Sequence, residues 1–293
     1  MILRMFGLSA AVVVALASAA PHAQAPARSI GGILDTLDRV RGFHQTAISP
    51  DGKRVAWVED VSAAEGTTAI YLRTIGAPAS DTRAILASND GRGHKDDSIA
   101  WAPDGQTLAF FSDAGTTPSQ QQVYVIDADA DAAAAAPARR ITSLKGQLDK
   151  PLWSPDGKQL AILFVAGSTQ GTGALVAYKP DSGVVGDVLE EQRIAIVDLN
   201  TRAVREVSPA NMFVYDYDWS PDGQSFAAEA VEGSGTNNYW IAQLYIIRAE
   251  TGDAKSIWKP PLQIAGPRWS PDGRSIAVIH GIMSDEEIGR AHV

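Results

Sequence analysis

Cysteine is absent from the 293-residue sequence, and histidine is sparse. The missing thiol excludes disulfides, a cysteine nucleophile, thiolate metal sites and a lipidated N-terminal cysteine. The histidines contain no pair at metal-ligand spacing, so we expect no zinc site, and no cofactor is indicated. They stand at positions 22, 44, 94, 280 and 292.

Positive charge is also in deficit. The sequence has 25 Lys and Arg against 34 Asp and Glu, a net charge of −9. A nucleic-acid-binding protein normally carries a basic surface, so this class is excluded as a first expectation. A hydrophobic content of 45% argues against disorder. The length allows one or two domains with a large core.

Long apolar runs are missing as well. The most apolar stretch, 6–20, is shorter than the roughly 18 residues of a membrane-spanning helix. Arg4 precedes this stretch, and the small-residue pattern Ala23-Gln24-Ala25 follows it. These features are typical of a secretory signal peptide over 1–25, cleaved near Ala19 to Ala27. We therefore expect a periplasmic or secreted protein with no membrane segment after cleavage.

What the sequence does contain is a repeat. The tripeptide Pro-Asp-Gly occurs five times, at 50–52, 103–105, 155–157, 221–223 and 271–273. Four copies have a Trp two residues before the Pro: Trp101, Trp153, Trp219 and Trp269. All five have an Ala four residues after the Gly: Ala56, Ala109, Ala161, Ala227 and Ala277.

The residues of the repeat predict its local structure. Proline presets φ, aspartate suits the next position, and glycine takes the left-handed one, so each copy predicts a turn between two antiparallel strands. Two more apolar strands follow each of the first four turns, for example at 122–128 and 139–144. The repeated Ala indicates close approach of neighbouring sheets, and the Trp is expected to pack between them.

Four short antiparallel strands per roughly 50 residues predict an all-β fold, a β-propeller of four-stranded blades. The propeller is assigned to residues 47–286. It is incomplete, with about four and a half blades, because the strands of the fifth unit end after the second one, near Ile279. A β-sandwich would explain the alternation of residues but not the period.

Both ends of the sequence lie outside the repeat. Residues 26–46 are expected to form a short helical segment, because apolar residues recur three apart at Leu34, Leu37, Val40 and Phe43. Residues 287–293 are expected to be a non-native tail. Their end, IGRAHV, is one reading frame of ATCGGAAGAGCACACGTC, which resembles a common sequencing adapter. A propeller that stops within a blade leaves an open edge, so we expect an interrupted chain.

No catalytic motif accompanies the repeat. The nucleophile elbow G-x-S-x-G and the glycine-rich phosphate loops are missing, so no catalytic residue is assigned. Three acidic clusters could hold a cation or do acid–base work. Since acids at strand ends are more often solvated, we expect them to be exposed loop charges: Asp96 with Asp97, Asp216 with Asp218, and Glu190 with Glu191.

The signal peptide, the short helix and the repeats of the form W-S-P-D-G-x-x-φ-A-φ resemble the N-terminal part of an exported bacterial peptidase. The family is that of prolyl oligopeptidase, dipeptidyl-peptidase IV and acylaminoacyl peptidase. The resemblance implies a substrate-gating propeller followed in the chain by a serine-peptidase α/β-hydrolase domain. It also implies peptide substrates and allows a homo-oligomer of the whole protein. This chain alone is then expected to be inactive.

The same resemblance implies one binding site. The dipeptidyl-peptidase branch grips the free N-terminus of its substrate with a glutamate pair from a propeller excursion. Glu190 and Glu191, which end a long insertion over 166–191, resemble that pair in position and chemistry.

Two other functions stay open. The repeats are also similar to those of periplasmic TolB-like propellers, which are not enzymes and mediate protein–protein interactions. A propeller lyase or a glycan-active enzyme would need a His/Asp/Arg cluster on one face.

Overall fold

A computed structural model describes residues 42–62, 66–116, 120–128, 138–168, 190–233 and 238–281, and the backbone of 290–292. The predicted signal peptide and most of the predicted helical segment lie outside the described residues. Among the described residues, no helix is long and apolar enough to cross a membrane.

The described chain forms five antiparallel sheets, each a simple meander. Blade 1 comprises β1 (Phe43–Ile48), β2 (Arg54–Ser62), β3 (Thr67–Thr74) and β4 (Arg83–Ile85). Blade 2 comprises β5 (Asp96–Trp101), β6 (Thr107–Ser112), β7 (Gln122–Asp127) and β8 (Arg139–Arg140). Blade 3 comprises β9 (Gly146–Trp153), β10 (Gln159–Ala166), β11 (Arg193–Asp198) and β12 (Val204–Glu206). Blade 4 comprises β13 (Met212–Trp219), β14 (Ser225–Glu232), β15 (Gln243–Arg248) and β16 (Ala254–Trp258). Blade 5 comprises β17 (Gln263–Trp269), β18 (Ile276–Gly281) and β19 (Arg290–His292).

The Pro-Asp-Gly turns connect the first two strands of every blade, as predicted. In the first turn the Ser49 hydroxyl donates to Asp51 Oδ1 at 2.6 Å, and the Gly52 amide donates to the Ser49 carbonyl at 2.8 Å. Gly52 has φ +71°, the left-handed conformation that favours glycine. The hydrogen bond from Ser49 lowers the pKa of Asp51, because it stabilises the carboxylate.

The core lies between the blades. Four of the repeated alanines are fully buried, which confirms the predicted close approach of neighbouring sheets: Ala56, Ala109, Ala161 and Ala227. Aromatic side chains fill the space around them, and Phe110, Phe213, Tyr217 and Phe226 are fully buried too. Fixed alanines and large aromatic residues together give the alternation of small and large groups that a close-packed core needs.

Three of the four repeated Trp residues tie their blade to the one before it, whereas the buried Nε1 of Trp269 has no hydrogen-bond partner among the described residues. The indole N–H of Trp101 donates to the Ala47 carbonyl of blade 1 at 3.2 Å. Trp153 donates to Ala100 at 3.0 Å, and Trp219 donates to Leu152 at 3.2 Å. The predicted packing of Trp between neighbours is therefore confirmed, with the addition of a hydrogen bond. Buried indole N–H groups usually find such a partner.

A basic residue on the fourth strand makes a second tie between blades, which the sequence analysis missed. The Arg83 guanidinium donates to the Ala128 carbonyl of the next blade. Arg205 holds the equivalent position in blade 3 and donates to the Ala249 carbonyl at 2.7 Å. These arginines close the outer rim of two blade junctions.

Two predicted boundaries were wrong. Residues 43–46 belong to β1 and not to a helix, and the Phe43 side chain is largely exposed instead of covering a core. The fifth blade does not end at its second strand. The backbone of β19 pairs antiparallel with β18, with Ile279 opposite Ala291. The non-native origin of 287–293 stays a prediction.

Candidate functional site on the innermost strands

The innermost strands carry a β-bulge at one repeated position. The first strands of neighbouring blades pack beside each other, β1 with β5, β5 with β9, and β13 with β17. In blades 2, 3 and 5 the bulge contains a residue with positive φ, namely Ser98 at +56°, Lys150 at +50° and Gly266 at +61°. Bulges re-aim the side chains around them, and they are over-represented near active sites.

Three carboxylates occupy one equivalent position beside these bulges. Asp97 pairs with Phe111, Asp149 with Leu163, and Asp216 with Glu229. Each partner stands two residues after the repeated Ala of its own blade. Blades 2, 3 and 4 therefore each carry an aspartate at the same position of the innermost strand.

Asp216 is held by cations from the blades on either side. The Lys150 ammonium of blade 3 contacts its Oδ1, and the Arg268 guanidinium of blade 5 lies 3.5 Å from its Oδ2. The side chains of Asp216 and Lys150 are only 18% and 23% exposed. We call Asp216, Lys150 and Arg268 the axial clamp. The expectation that Asp216 is a solvated loop charge was wrong, because it lies inside β13.

Burial perturbs the charged groups around the clamp. It lowers the pKa of Lys150 to about 8, with Arg268 adding to the effect. It raises the pKa of Glu229, which is only 5% exposed, to about 8, although Lys150 and the Gly266 amide partly offset this. Asp218 also has a raised pKa through burial, and its Oδ2 accepts the Trp269 amide at 2.8 Å.

A cleft of about 690 Å³ opens beside the clamp, between the innermost strands of blades 1 to 3. Asp97, Asp149, Lys150, Trp101 and Trp153 line it. Asp149 is exposed to the cleft. Partial desolvation of its carboxyl by the surrounding protein raises its pKa. Carboxylates beside aromatic rings can bind and orient a cationic group. Among the described residues, no three His, Asp or Glu side chains are grouped to hold a metal ion.

The glutamates of the third blade lie at a different place in the fold. Glu190 Oε2 accepts the Ser168 hydroxyl at 2.8 Å. Glu191 Oε2 is buried and has no hydrogen-bond partner within the described residues, and burial raises the pKa of this carboxyl. Tyr215, the bulge residue of β13, is close enough for Glu191 and Glu229 to contribute to its raised pKa, which burial dominates. Residues 169–189 of the insertion lie outside the described residues.

The structure thus separates the predicted acidic residues into different environments. Asp96 is only 6% exposed, so the prediction of an exposed loop charge was wrong for this residue as well. Asp97 lines the cleft. The sequence analysis missed Asp149, Lys150, Arg268 and Glu229 altogether. The available signal was an acidic residue five or six positions before the Pro of a turn.

Comparison with known proteins gives neighbours of two kinds. No family model matches the chain. The uncharacterized peptidase YuxL of Bacillus subtilis is 25% identical over 263 residues, which are 88% of this chain and 32% of the relative. The chain therefore spans about a third of the length of this curated relative.

Solved structures confirm the propeller fold. The putative TolB of Agrobacterium tumefaciens has a TM-score of 0.55 at 16% identity, covering 84% of this chain and 73% of that one. The acylaminoacyl peptidase of Pyrococcus horikoshii has a TM-score of 0.54 at 13% identity, covering 86% and 37%. Both groups that the sequence resembles are thus among its structural neighbours, and at these identities they show the fold alone.

Proposed function

We propose that this chain is the propeller portion of an exported serine peptidase of the prolyl oligopeptidase group. The similarity to a peptidase along 88% of the chain supports this proposal most directly. The propeller would gate small peptides toward a catalytic α/β-hydrolase domain that follows it. That domain would supply the activated serine and the oxyanion hole for acyl transfer.

The innermost strands fit a gating role. The clamp and the cleft present fixed charges, and side chains held by ion pairs and burial can select a ligand without reorganising. Asp97 and Asp149 face the same cleft from adjacent blades. Such a surface can attract cationic groups of a peptide, while the acidic net charge of −9 disfavours polyanions.

A non-enzymatic TolB-like propeller is the second candidate. It is favoured by the TolB structure, of which this chain covers 73%, a larger share than of the peptidase. Both candidates place the protein in the periplasm or outside the cell, after cleavage of the signal peptide near Ala19 to Ala27. In the TolB-like case the partners are envelope proteins instead of peptides.

The gene itself tests the proposal. We expect the reading frame to continue past the propeller into a G-x-S-x-G motif, followed by Asp and then His in chain order. The purified chain should hydrolyse no dipeptidyl, prolyl or acylaminoacyl chromogenic substrate, since the described residues contain no nucleophile elbow. A native stop codon directly after the propeller would favour the TolB-like function. Hydrolysis above the blank by this chain would contradict the assignment of catalysis to a following domain.

Within the peptidase proposal, Glu190 and Glu191 bind the free amino end of the substrate. Glu191 offers a buried carboxylate oxygen near Tyr215 that has no partner in the described part of the chain, a setting in which an ammonium group gains a charge-assisted hydrogen bond. Glu190 is oriented by Ser168.

A binding experiment tests this pair. A dipeptide with a free N-terminus should bind the chain about tenfold more tightly than its N-acetylated form, and Glu191→Gln should remove the difference, because the charge-assisted bond is worth roughly 1.5 kcal/mol. Isothermal titration measures both affinities. Glu250→Gln, an exposed glutamate on another loop, is the matched control. Equal affinities of the two dipeptides for the unmodified chain would reject the role of the pair.

A further inference from the structure

His94 lies in the segment that leads from blade 1 into blade 2, and both of its ring nitrogens face carboxylates. Nε2 is 3.0 Å from Asp90 Oδ1, and Nδ1 is 3.3 Å from Asp113 Oδ1. The side chain is only 14% exposed. Asp90 belongs to the same segment, whereas Asp113 follows β6 of blade 2. The ring is therefore enclosed between two acids from different parts of the fold.

This geometry favours a charged imidazole. A neutral ring has one N–H donor and one lone pair, so one of the two carboxylates would face a lone pair. Only the imidazolium is attracted to both acids, through a hydrogen bond to Asp90 and an ion pair with Asp113. His44 provides the contrast, since its Nε2 meets the single carboxylate of Asp60 at 2.6 Å and its side chain is 51% exposed.

The backbone beside His94 joins the two blades. Thr68 of β3 donates its amide to the His94 carbonyl at 3.0 Å. The Thr68 hydroxyl donates to the Asp96 carbonyl at 2.6 Å and accepts the Asp96 amide at 2.9 Å. Asp113 Oδ1 also accepts the Lys95 amide at 3.0 Å, so one carboxylate holds both the ring and the main chain. The protonation of one side chain thus bears directly on the contact between blades.

Asp96 adds a second titratable group to the same junction. Asp96 is 6% exposed, and its Oδ1 is buried without a hydrogen-bond partner in the part of the chain that the structure describes. Burial raises its pKa to about 6, with Asp113 and Asp97 adding to the rise and the Ser112 hydroxyl opposing it.

The remaining charged groups lie further out around this junction. The Lys95 ammonium is 3.7 Å from Asp97. Arg140 lies beside the Tyr124 phenol of β7. Burial raises the pKa of this phenol, and the charges of Asp96 and Asp113 add to the rise. Neither cation makes an ion pair with Asp96 among the described residues. The charge of Arg92 acts on Asp90, whereas the charge of His94 acts on both Asp90 and Asp96.

We propose that His94, Asp90, Asp113 and Asp96 form a pH-operated latch between blades 1 and 2, closed while His94 carries both ring protons. Loss of one proton turns an attraction into a repulsion at one of the two acids. It thereby loosens the segment whose backbone pairs with Thr68 of blade 1 and whose ring is held by Asp113 of blade 2. Ionisation of Asp96, at lower pH than the deprotonation of His94, adds a buried negative charge beside Asp113.

Both groups act in one direction. Burial lowers the pKa of His94, but the hydrogen bond and charge of Asp90 and the charge of Asp113 outweigh it, so the pKa is raised above 6.5. The contribution of the protonated ring to stability is therefore complete at low pH and is lost as pH rises through the pKa of His94 in the folded state. Asp96 also has a raised pKa, so the folded state holds a proton that the unfolded state releases, and this contribution is lost between about pH 4 and pH 6. The latch therefore loosens with alkalinisation.

Hydrogen exchange of the full chain tests the latch. Amide protection in peptides covering 67–70 and 93–97, corrected for intrinsic rates, should fall about tenfold between about pH 6.5 and pH 8, above the range in which Asp96 ionises. His94→Gln should abolish this pH dependence and leave protection at the low level. The matched control His44→Gln should keep the behaviour of the unmodified chain. Protection that does not change with pH, or a pH dependence that survives in His94→Gln, would overturn the proposal.

A second measurement does not depend on a variant that folds. Titration of the His94 ring resonances in the unmodified chain should give a pKa above 6.5, the ordinary value for histidine. A pKa below 6.5 would show that the ring is neutral between its two acids and would overturn the latch.

Discussion

Asp216→Asn should lower the free energy of unfolding by about 3 kcal/mol, because it leaves the Lys150 ammonium without its carboxylate in a largely buried site. Arg268 of blade 5 loses its contact with the same carboxylate. Three blades are therefore affected by one substitution. Urea unfolding followed by tryptophan fluorescence measures the effect, with the midpoint shifting while the slope stays constant.

Asp97→Asn is the matched control for this prediction. Asp97 holds the same position in blade 2, but its only ion pair among the described residues is with an exposed Lys95 at 3.7 Å, so the loss should stay below about 0.5 kcal/mol. The double variant Asp216→Asn with Lys150→Met should recover part of the loss, since it removes the uncompensated charge. Equal effects at Asp216 and Asp97 would contradict the axial clamp.

Glu229→Gln should stabilise the chain under alkaline conditions. The pKa of Glu229 is raised from 4.5 to about 8, so its contribution to stability is complete below about pH 4.5 and is lost as pH rises to about 8. Within that window the unmodified chain should lose about 1.4 kcal/mol per pH unit from this group. Glutamine keeps the shape of the side chain but cannot ionise. Above pH 8 the variant should therefore be more stable than the unmodified chain by about 2 kcal/mol or more.

The measurement is the unfolding free energy of both proteins at several pH values between about 5 and 9. Glu232→Gln is the control, because Glu232 ends the same strand and is exposed. It should leave the pH dependence unchanged. Parallel stability curves for the unmodified chain and Glu229→Gln would show that this carboxyl titrates normally.

The blades were predictable because their signals are local. Pro, Asp and Gly define a turn through backbone preferences within four residues, and the strands on either side follow from it. The strand that was predicted at 122–128 is observed as β7, Gln122–Asp127. The prediction of Trp between neighbours also succeeded, because a large aromatic residue at a fixed place in each repeat has few other places to be buried.

The axial clamp was not predictable in the same way. Asp97 and Asp149 stand six residues before the Pro of their turns, whereas Asp216 stands five before it, because the bulge of β13 lies one residue further from the turn. A bulge changes the register without a distinct sequence signal, so the equivalence of the three carboxylates becomes visible only in the strand pairing. The contact of Lys150 with a residue of the next blade is likewise non-local.

The helical assignment failed at Phe43 for a related reason. A spacing of three fits a helix face, but a single apolar residue at the end of such a series equally fits the start of a strand. Pairing of β1 with β2 decides the outcome, because Phe43 stands opposite Glu59 there. Tertiary pairing overrides the local pattern at the boundary of a repeat.

The tryptophan ties between blades also bear on how such a protein can change in length. The indole donor and the carbonyl that receives the next indole are adjacent residues of one strand, as with Trp101 and Ala100. A unit such as blade 2 or blade 3, copied or deleted as a whole, therefore brings or removes one donor and one acceptor together. Tandem duplication of a unit creates a junction that is already hydrogen-bonded, so blade number can vary among descendants without compensating substitutions at the new seam.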